Sequence, residues 1–141
     1  MSGDNVELRR GLYERWARRD YSVREAFDPE VVFERIMSEV PAGPGGAGVW
    51  HGVDEMWRAV VDWLRHWEEL RVEPEAFIDL GDRVLVTTRQ IARGRLSGAP
   101  VEAEVADLFA LHDGRIVRWE IYWDRAKAMH AAGLGQRPQE A

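Results

Sequence analysis

The second half of the chain is divided by turn signals at regular spacing, and that division restricts the fold more than any other feature. Arg71–Leu80, Arg83–Arg95, Pro100–His112 and Arg115–Asp124 are separated by Gly81-Asp82, Ser97-Gly98 and Asp113-Gly114. Glycine beside Asp or Ser supplies the turn conformations of hairpins, so the four stretches read as an antiparallel meander. Two amphipathic helices are predicted ahead of it. In Asn5–Arg19, Leu8, Leu12 and Trp16 recur at helical spacing, one buried stripe. From about Val53 to Leu70 the stripe is Val53, Trp57, Val60, Leu64 and Trp67, widened by Met56 and Trp63, with Asp54 and Glu55 at the positive helix end. Between the helices, Ser22 caps a short helix at Val23–Phe27, Val31–Met37 reads as a strand, and Pro41–Gly48 is a glycine-rich loop. Arg125–Ala131 forms a last short helix ending at Gly133. Helices first and a long meander after predict an α+β fold, with helices packed on one face of a curved, mostly antiparallel sheet.

Composition narrows the chemistry. The 141 residues are 45% apolar and 31% charged, enough for one domain with a real core. That domain is expected over residues 1–134, followed by a flexible tail at 135–141. With no cysteine there is no disulfide, thiol nucleophile or thiolate-bound zinc. The four histidines, His51, His66, His112 and His130, have no metal-ligand spacing, and no phosphate-binding glycine motif is present, so neither metal nor cofactor is expected. A net charge of -6 argues against nucleic acid, and no apolar run is long enough to cross a membrane. The first residues lack the basic start and apolar run of a secretion signal, which reads as a cytoplasmic protein.

Splitting each strand into its two faces exposes two polar residues in apolar company. Asp107 interrupts Val101, Ala103, Val105, Phe109 and Leu111, and Arg89 interrupts Leu85, Thr87 and Ile91. Three-residue loops at His112–Gly114 and Ser97–Ala99 would place Asp107 opposite Trp119 and Arg89 opposite or diagonal to Asp107. Arg35 is a third candidate, following Val31 and Phe33 on the first strand. One reading of Asp107 and Arg89 is a buried ion pair that sets register; the other is the catalytic pair of an aromatic-lined pocket, Asp107 as acid/base or oxyanion donor and Arg89, with Arg35, attracting a carboxylate or enolate. Burial raises such a carboxyl's pKa and an adjacent arginine lowers it, and residue order alone does not choose.

Phe33-Glu34-Arg35 closing a strand, His51-Gly52 before a long helix, and Leu111-His112-Asp113-Gly114-Arg115-Ile116 together resemble the SnoaL-like group of the nuclear-transport-factor-2-like, or ketosteroid-isomerase-like, superfamily. Tyr122–Ala126 and Ala132-Gly133-Leu134 are similar to it as well, so the resemblance spans about residues 5 to 134. It implies a cone-shaped α+β barrel around one pocket, commonly a homodimer, with Asp107 in the place of the isomerases' oxyanion-hole acid. The isomerase base would fall near Arg35 and its phenolic donor near Leu12, neither of which can act so. Against the limonene epoxide hydrolases, Arg89 matches their arginine, but Ile91 and Ile121 replace both carboxylates, and Phe33 and Arg35 replace the water-holding pair. What remains is a cofactor-independent isomerase, cyclase or hydrolase-like lyase of the polyketide-cyclase type, or a non-catalytic binding or dimerisation module. Its ligand is expected to be small and apolar or weakly acidic.

The expected pocket draws on every element. Leu12 and Trp16 come from the first helix, Phe33 and Arg35 from the first strand, and Trp50 and His51 from the approach to the second helix. Met56 and Val60 come from that helix, Val105 and Phe109 from the strand of Asp107, and Trp119, Ile121 and Trp123 from the last strand. Of the seven tryptophans, Trp16, Trp50, Trp119 and Trp123 are expected around Asp107 and Arg89, and Trp57, Trp63 and Trp67 in the helix core.

Overall fold

A computed structural model describes residues 2–18, 24–36, 48–95, 98 and 100–134. The glycine-rich stretch up to Ala47, most of the 96–99 turn and the 135–141 tail lie outside the described residues. Among the described residues the order is α1 (Ser2–Ala17), a 3-10 turn at Arg24–Ala26, β1 (Phe27–Ile36), β2 (Gly48–His51), α2 (Val53–Arg65), β3 (Trp67–Asp79), β4 (Arg83–Gly94), β5 (Pro100–His112), β6 (Arg115–Tyr122) and α3 (Arg125–Ala131). The 3-10 turn stands where a short helix was expected, and β2 was not foreseen.

Six strands form one curved sheet in the order β2-β1-β6-β5-β4-β3. All neighbours are antiparallel except β1 and β6, which run parallel. The sheet does not close on itself, so the cone is an open one rather than a barrel. The hairpins follow from the turn residues. Asp113 (φ 52) and Gly114 (φ 79) occupy left-handed conformations between the paired His112 and Arg115. This is a two-residue turn instead of the expected three-residue loop, and Asp-Gly suits it because both central positions need positive φ. At the β3–β4 turn the Asp79 carboxylate accepts from Gly81 N–H at 2.9 Å.

Two helices cover the concave face. From α1, Leu12 and Tyr13 are buried against Val84, Val86, Phe109 and Trp119; from α2, Met56 and Ala59 join the same core. Leu8, expected in the buried stripe, is 48% exposed; the stripe runs through Arg9, Leu12, Tyr13 and Trp16. Helix α2 stops five residues before the expected Leu70 because the end of β4 takes over its last carbonyls. Arg95 donates from Nε to Arg65 O and from Nη2 to Trp67 O, each at 3.1 Å, and its N–H reaches His66 O at 2.9 Å. Trp67 thus begins β3, opposite Gly94. Helix α3 packs on the other side of the sheet against Leu85, Leu108 and Tyr122, so the helices are not confined to one face. Asp124 caps it, accepting from Ala126 N–H at 2.9 Å.

Candidate active site

One row across the sheet defines the polar centre of the concave face. Arg35 on β1 lies opposite Ile121 on β6, Ile121 opposite Asp107 on β5, Asp107 opposite Val86 on β4, and Val86 opposite Phe77 on β3. Residues paired across strands share a face, so Arg35 and Asp107 face the same side two strands apart, about 10 Å between Cα atoms. A three-residue loop at His112–Gly114 would put Trp119 opposite Asp107. The two-residue turn and a bulge between Ala110 and Leu111 each move the register by one position, two in all, pairing Trp119 with Phe109. A shift of two preserves the face, and Trp119 still reaches Asp107 diagonally.

Asp107 is 3% exposed and accepts two hydrogen bonds. The Tyr13 hydroxyl donates to Oδ2, and the Trp119 indole N–H donates to Oδ1 at 3.2 Å. Burial pushes the carboxyl up from its ordinary 3.8 to about 6, with the two donors pulling it partly back. Burial also holds the Tyr13 phenol well above its usual range, and the adjacent carboxylate adds to that, so Tyr13 remains a donor. Tyr13→Phe removes one donor that favours the charged carboxylate. The expected result is a higher Asp107 pKa and a stability loss larger at pH 8 than at pH 4, measured by urea unfolding at both.

Above this group lies a cavity of ≈ 580 Å³. Trp16, Phe33, Met56, Val60, Trp119 and Ile121 line it as expected, with Arg35 and Asp107 as inner polar groups. The other expected pocket residues sit elsewhere. Leu12, Val105 and Phe109 are buried in the packing without reaching the cavity. Trp50 stacks behind Phe33 with ring centroids 5.3 Å apart, and Trp123 lies against Trp63 at 5.5 Å. His51 is exposed on β2, and its backbone N–H is capped by Glu55 at 3.0 Å. In exchange, Trp57 and Trp63, expected in the helix core, line the cavity. Sequence reading missed Tyr13 because the helical stripe was drawn through Leu8; the signal was the i, i+3 and i, i+4 set of Arg9, Leu12, Tyr13 and Trp16.

Arg35 is 3% exposed in an aromatic setting. Its guanidinium carbon lies 4.7 Å from the Trp63 ring centre, 5.1 Å from Trp50 and 5.6 Å from Phe33. Burial lowers its pKa from 12.5 to about 10, partly opposed by Asp62, so it stays cationic at neutral pH.

Arg89 does not join this centre. It lies opposite Glu104, three positions from the expected partner, because the β4–β5 connection runs from Arg93 to Pro100 and is longer than three residues. An odd displacement turns a side chain to the other face. On the outer face Arg89 pairs with Glu102 and, at 3.7 Å, with Glu75, while Arg125 bonds Glu75 at 2.6 Å. The expected Asp107–Arg89 pair is therefore absent. Arg89→Ala is expected to cost no more than about 1 kcal/mol by urea unfolding and to leave ligand binding unchanged, because exposed ion pairs contribute little. A larger loss, or weakened binding, would contradict this placement.

Among the described residues no group of three or more His, Asp or Glu is placed to hold a metal ion, and no helix is long and apolar enough to cross a membrane.

The SnoaL-like domain family matches residues 10–119, most of the chain. The chain belongs to the SnoaL-like family. This SnoaL-like protein also superposes on solved structures. With an NTF2-like protein of unknown function from Burkholderia pseudomallei K96243 it shares 27% identity, covering 89% of this chain and 95% of that one, with a TM-score of 0.75. TerC, co-crystallised with polyporic acid, gives 21% identity, coverage of 92% and 98%, and a TM-score of 0.72. A putative SnoaL-like polyketide cyclase from Mesorhizobium loti gives 18% identity, coverage of 82% and 96%, and a TM-score of 0.63. Among curated proteins none matches the sequence. One residue after Leu12, Tyr13 places a phenol against Asp107, donating its hydroxyl to the carboxyl.

Proposed function

We propose that this SnoaL-like protein binds a small, mostly apolar carbonyl compound and moves a proton on it without a cofactor, as an isomerase or cyclase does. The observation that carries the reading is the buried Asp107 carboxyl on the cavity wall, with a pKa of about 6 between two donors. A group that titrates near the working pH can both take and return a proton. Asp107 as carboxylate removes a proton from the carbon next to the ligand carbonyl, and the electron pair moves onto the carbonyl oxygen. Arg35, cationic and facing the same cavity, stabilises that enolate oxygen. Protonated Asp107 then returns the proton to carbon at the same or a conjugated position. The cavity walls from Trp16, Trp63 and Trp119 suit a flat ring system, and TerC, crystallised with polyporic acid, and the Mesorhizobium cyclase share this fold.

The probe is 2-tetralone, a bicyclic ketone with acidic α-hydrogens. In D2O the protein is expected to speed α-hydrogen exchange at least tenfold over an equal concentration of acetate, read by proton NMR, and Asp107→Asn is expected to abolish the gain. Quenching of tryptophan fluorescence by the ketone without any accelerated exchange would favour the second reading, a carrier whose Asp107 serves only packing. The proposal extends to a homodimer through the outer sheet face, where Arg118 bridges Glu34 at 2.8 Å and Glu120 at 2.6 Å. A monomeric mass in sedimentation at all concentrations would remove that part.

A further inference from the structure

Helix α1 buries a cation that the proposed proton transfer does not use. Arg9 is 1% exposed, and its Nε and Nη1 have no hydrogen-bond partner among the described residues. Its guanidinium carbon lies 5.8 Å from the centre of the Phe109 ring, against whose edge Tyr13 packs at 6.3 Å. Four residues apart on a helix, Arg9 and Tyr13 are neighbours on one face. Arg9 and Tyr13 therefore rest on one ring, and the Tyr13 hydroxyl donates a hydrogen bond to Asp107.

We infer that Arg9 is a positioning residue for the proton of Asp107: a buried countercharge, placed behind Tyr13, that favours the carboxylate form. The inference rests on the reading of Asp107 as the acid and base. A buried cation with unfilled donors is costly by itself, and that cost falls when a negative charge develops nearby in a medium of low dielectric. Arg9 keeps its charge throughout, since burial lowers its pKa from 12.5 only to about 10. Its electrostatic partner is Tyr13, and each acts on the other's ionisation in the direction of attraction. Among the described residues the remaining charged or polar groups facing Asp107 are few. From β6 comes the Trp119 N–H and from β1, across Ile121, Arg35; α2 presents Met56, Trp57, Val60 and Trp63 to the cavity. Glu69, Arg71 and Glu73 of β3 and Arg93 of β4 line the same cavity, paired as Arg71–Glu73 at 2.8 Å and Arg93–Glu69 at 3.9 Å.

The test is an NMR titration of the Asp107 carboxyl, using aspartate labelled with carbon-13 at Cγ, in wild type, Arg9→Met and Arg9→Lys. Arg9→Met keeps the length and apolar stem but removes the charge. The midpoint is expected to rise by about one pH unit in Arg9→Met, and to stay near the wild-type value in Arg9→Lys. Exchange of 2-tetralone, where present, should shift its pH profile in parallel. A midpoint unchanged in a folded Arg9→Met, or raised equally in both variants, would overturn the inference, since a merely structural arginine would alter stability without moving the titration. If Arg9→Met does not fold, an unshifted midpoint in Arg9→Gln overturns it and a raised one supports it. The titration needs no turnover, so absent exchange with a shifted midpoint would sink the enzymatic reading alone.

Discussion

Asp107→Asn is expected to gain stability relative to wild type as pH rises, by about 3 kcal/mol between pH 4 and pH 8. The carboxyl has a pKa of about 6 in the fold against an ordinary 3.8, a difference of about two units. Each unit corresponds to about 1.4 kcal/mol. A carboxyl whose folded pKa is raised contributes its full stability below pH 4, where it is protonated in both states. That contribution is lost as pH rises through 6, because folding then either keeps a costly buried charge or takes up a proton. Asparagine mimics the neutral acid and escapes the loss. Since every other ionisable group is common to both proteins, urea unfolding of the pair at the two pH values isolates this residue. A difference independent of pH would mean that Asp107 titrates normally. A variant that becomes relatively less stable toward pH 8 would mean that the carboxylate is a structural anion, as a buried ion pair would make it.

Trp119→Ala is expected to cost about 3–5 kcal/mol, a large share of the roughly 5–15 kcal/mol that holds a domain of this kind. Trp119 is the aromatic hub beneath the cavity. Its ring centre lies 4.5 Å from Phe33, 5.5 Å from Trp16, 5.7 Å from Phe27 and 5.9 Å from Phe109. Truncation leaves a void between α1, β1 and β5 that these three elements cannot all close, and it removes one of the two donors to Asp107. Trp119→Phe separates the two effects. It keeps most of the stacking and is expected to lose much less stability, yet to raise the Asp107 pKa as Tyr13→Phe does. Thermal unfolding measures the first effect; a drop in melting temperature of only a few degrees for Trp119→Ala would show that the cluster is not the core of the fold.

Much of the architecture was legible because it rests on local chemistry. Asp113-Gly114 and Gly81-Asp82 are turns in any context, and alternation along β5 and β6 marks the buried faces. Asp107 stood out for the same reason: a carboxylate in an apolar row needs an explanation wherever its partners come from. The failures are failures of counting across connections. At β5–β6 the shorter turn and the bulge together moved the register by two, which left faces intact, and the aromatic pairing around Asp107 survived in altered form. At β4–β5 the longer connection moved it by three, which reversed the face of Arg89 and erased the expected ion pair. Tyr13 was hidden by a different effect. Arg9 on the buried stripe looked like a solvent residue, so the stripe was drawn through Leu8, whose apolar character had no packing behind it. The extent of α2 was misjudged because Trp67 fits a helical stripe as well as a strand, and the carbonyl contacts of Arg95 that end the helix come from thirty residues away.

The central claim is that Asp107 is an acid held near neutrality on the wall of an aromatic cavity. The direct measurement is its carboxyl titration in the wild-type protein, followed by carbon-13 NMR and assigned by loss of the signal in Asp107→Asn. A midpoint near 6 is the expected result. A midpoint at or below 4, as for an ordinary exposed aspartate, would contradict it.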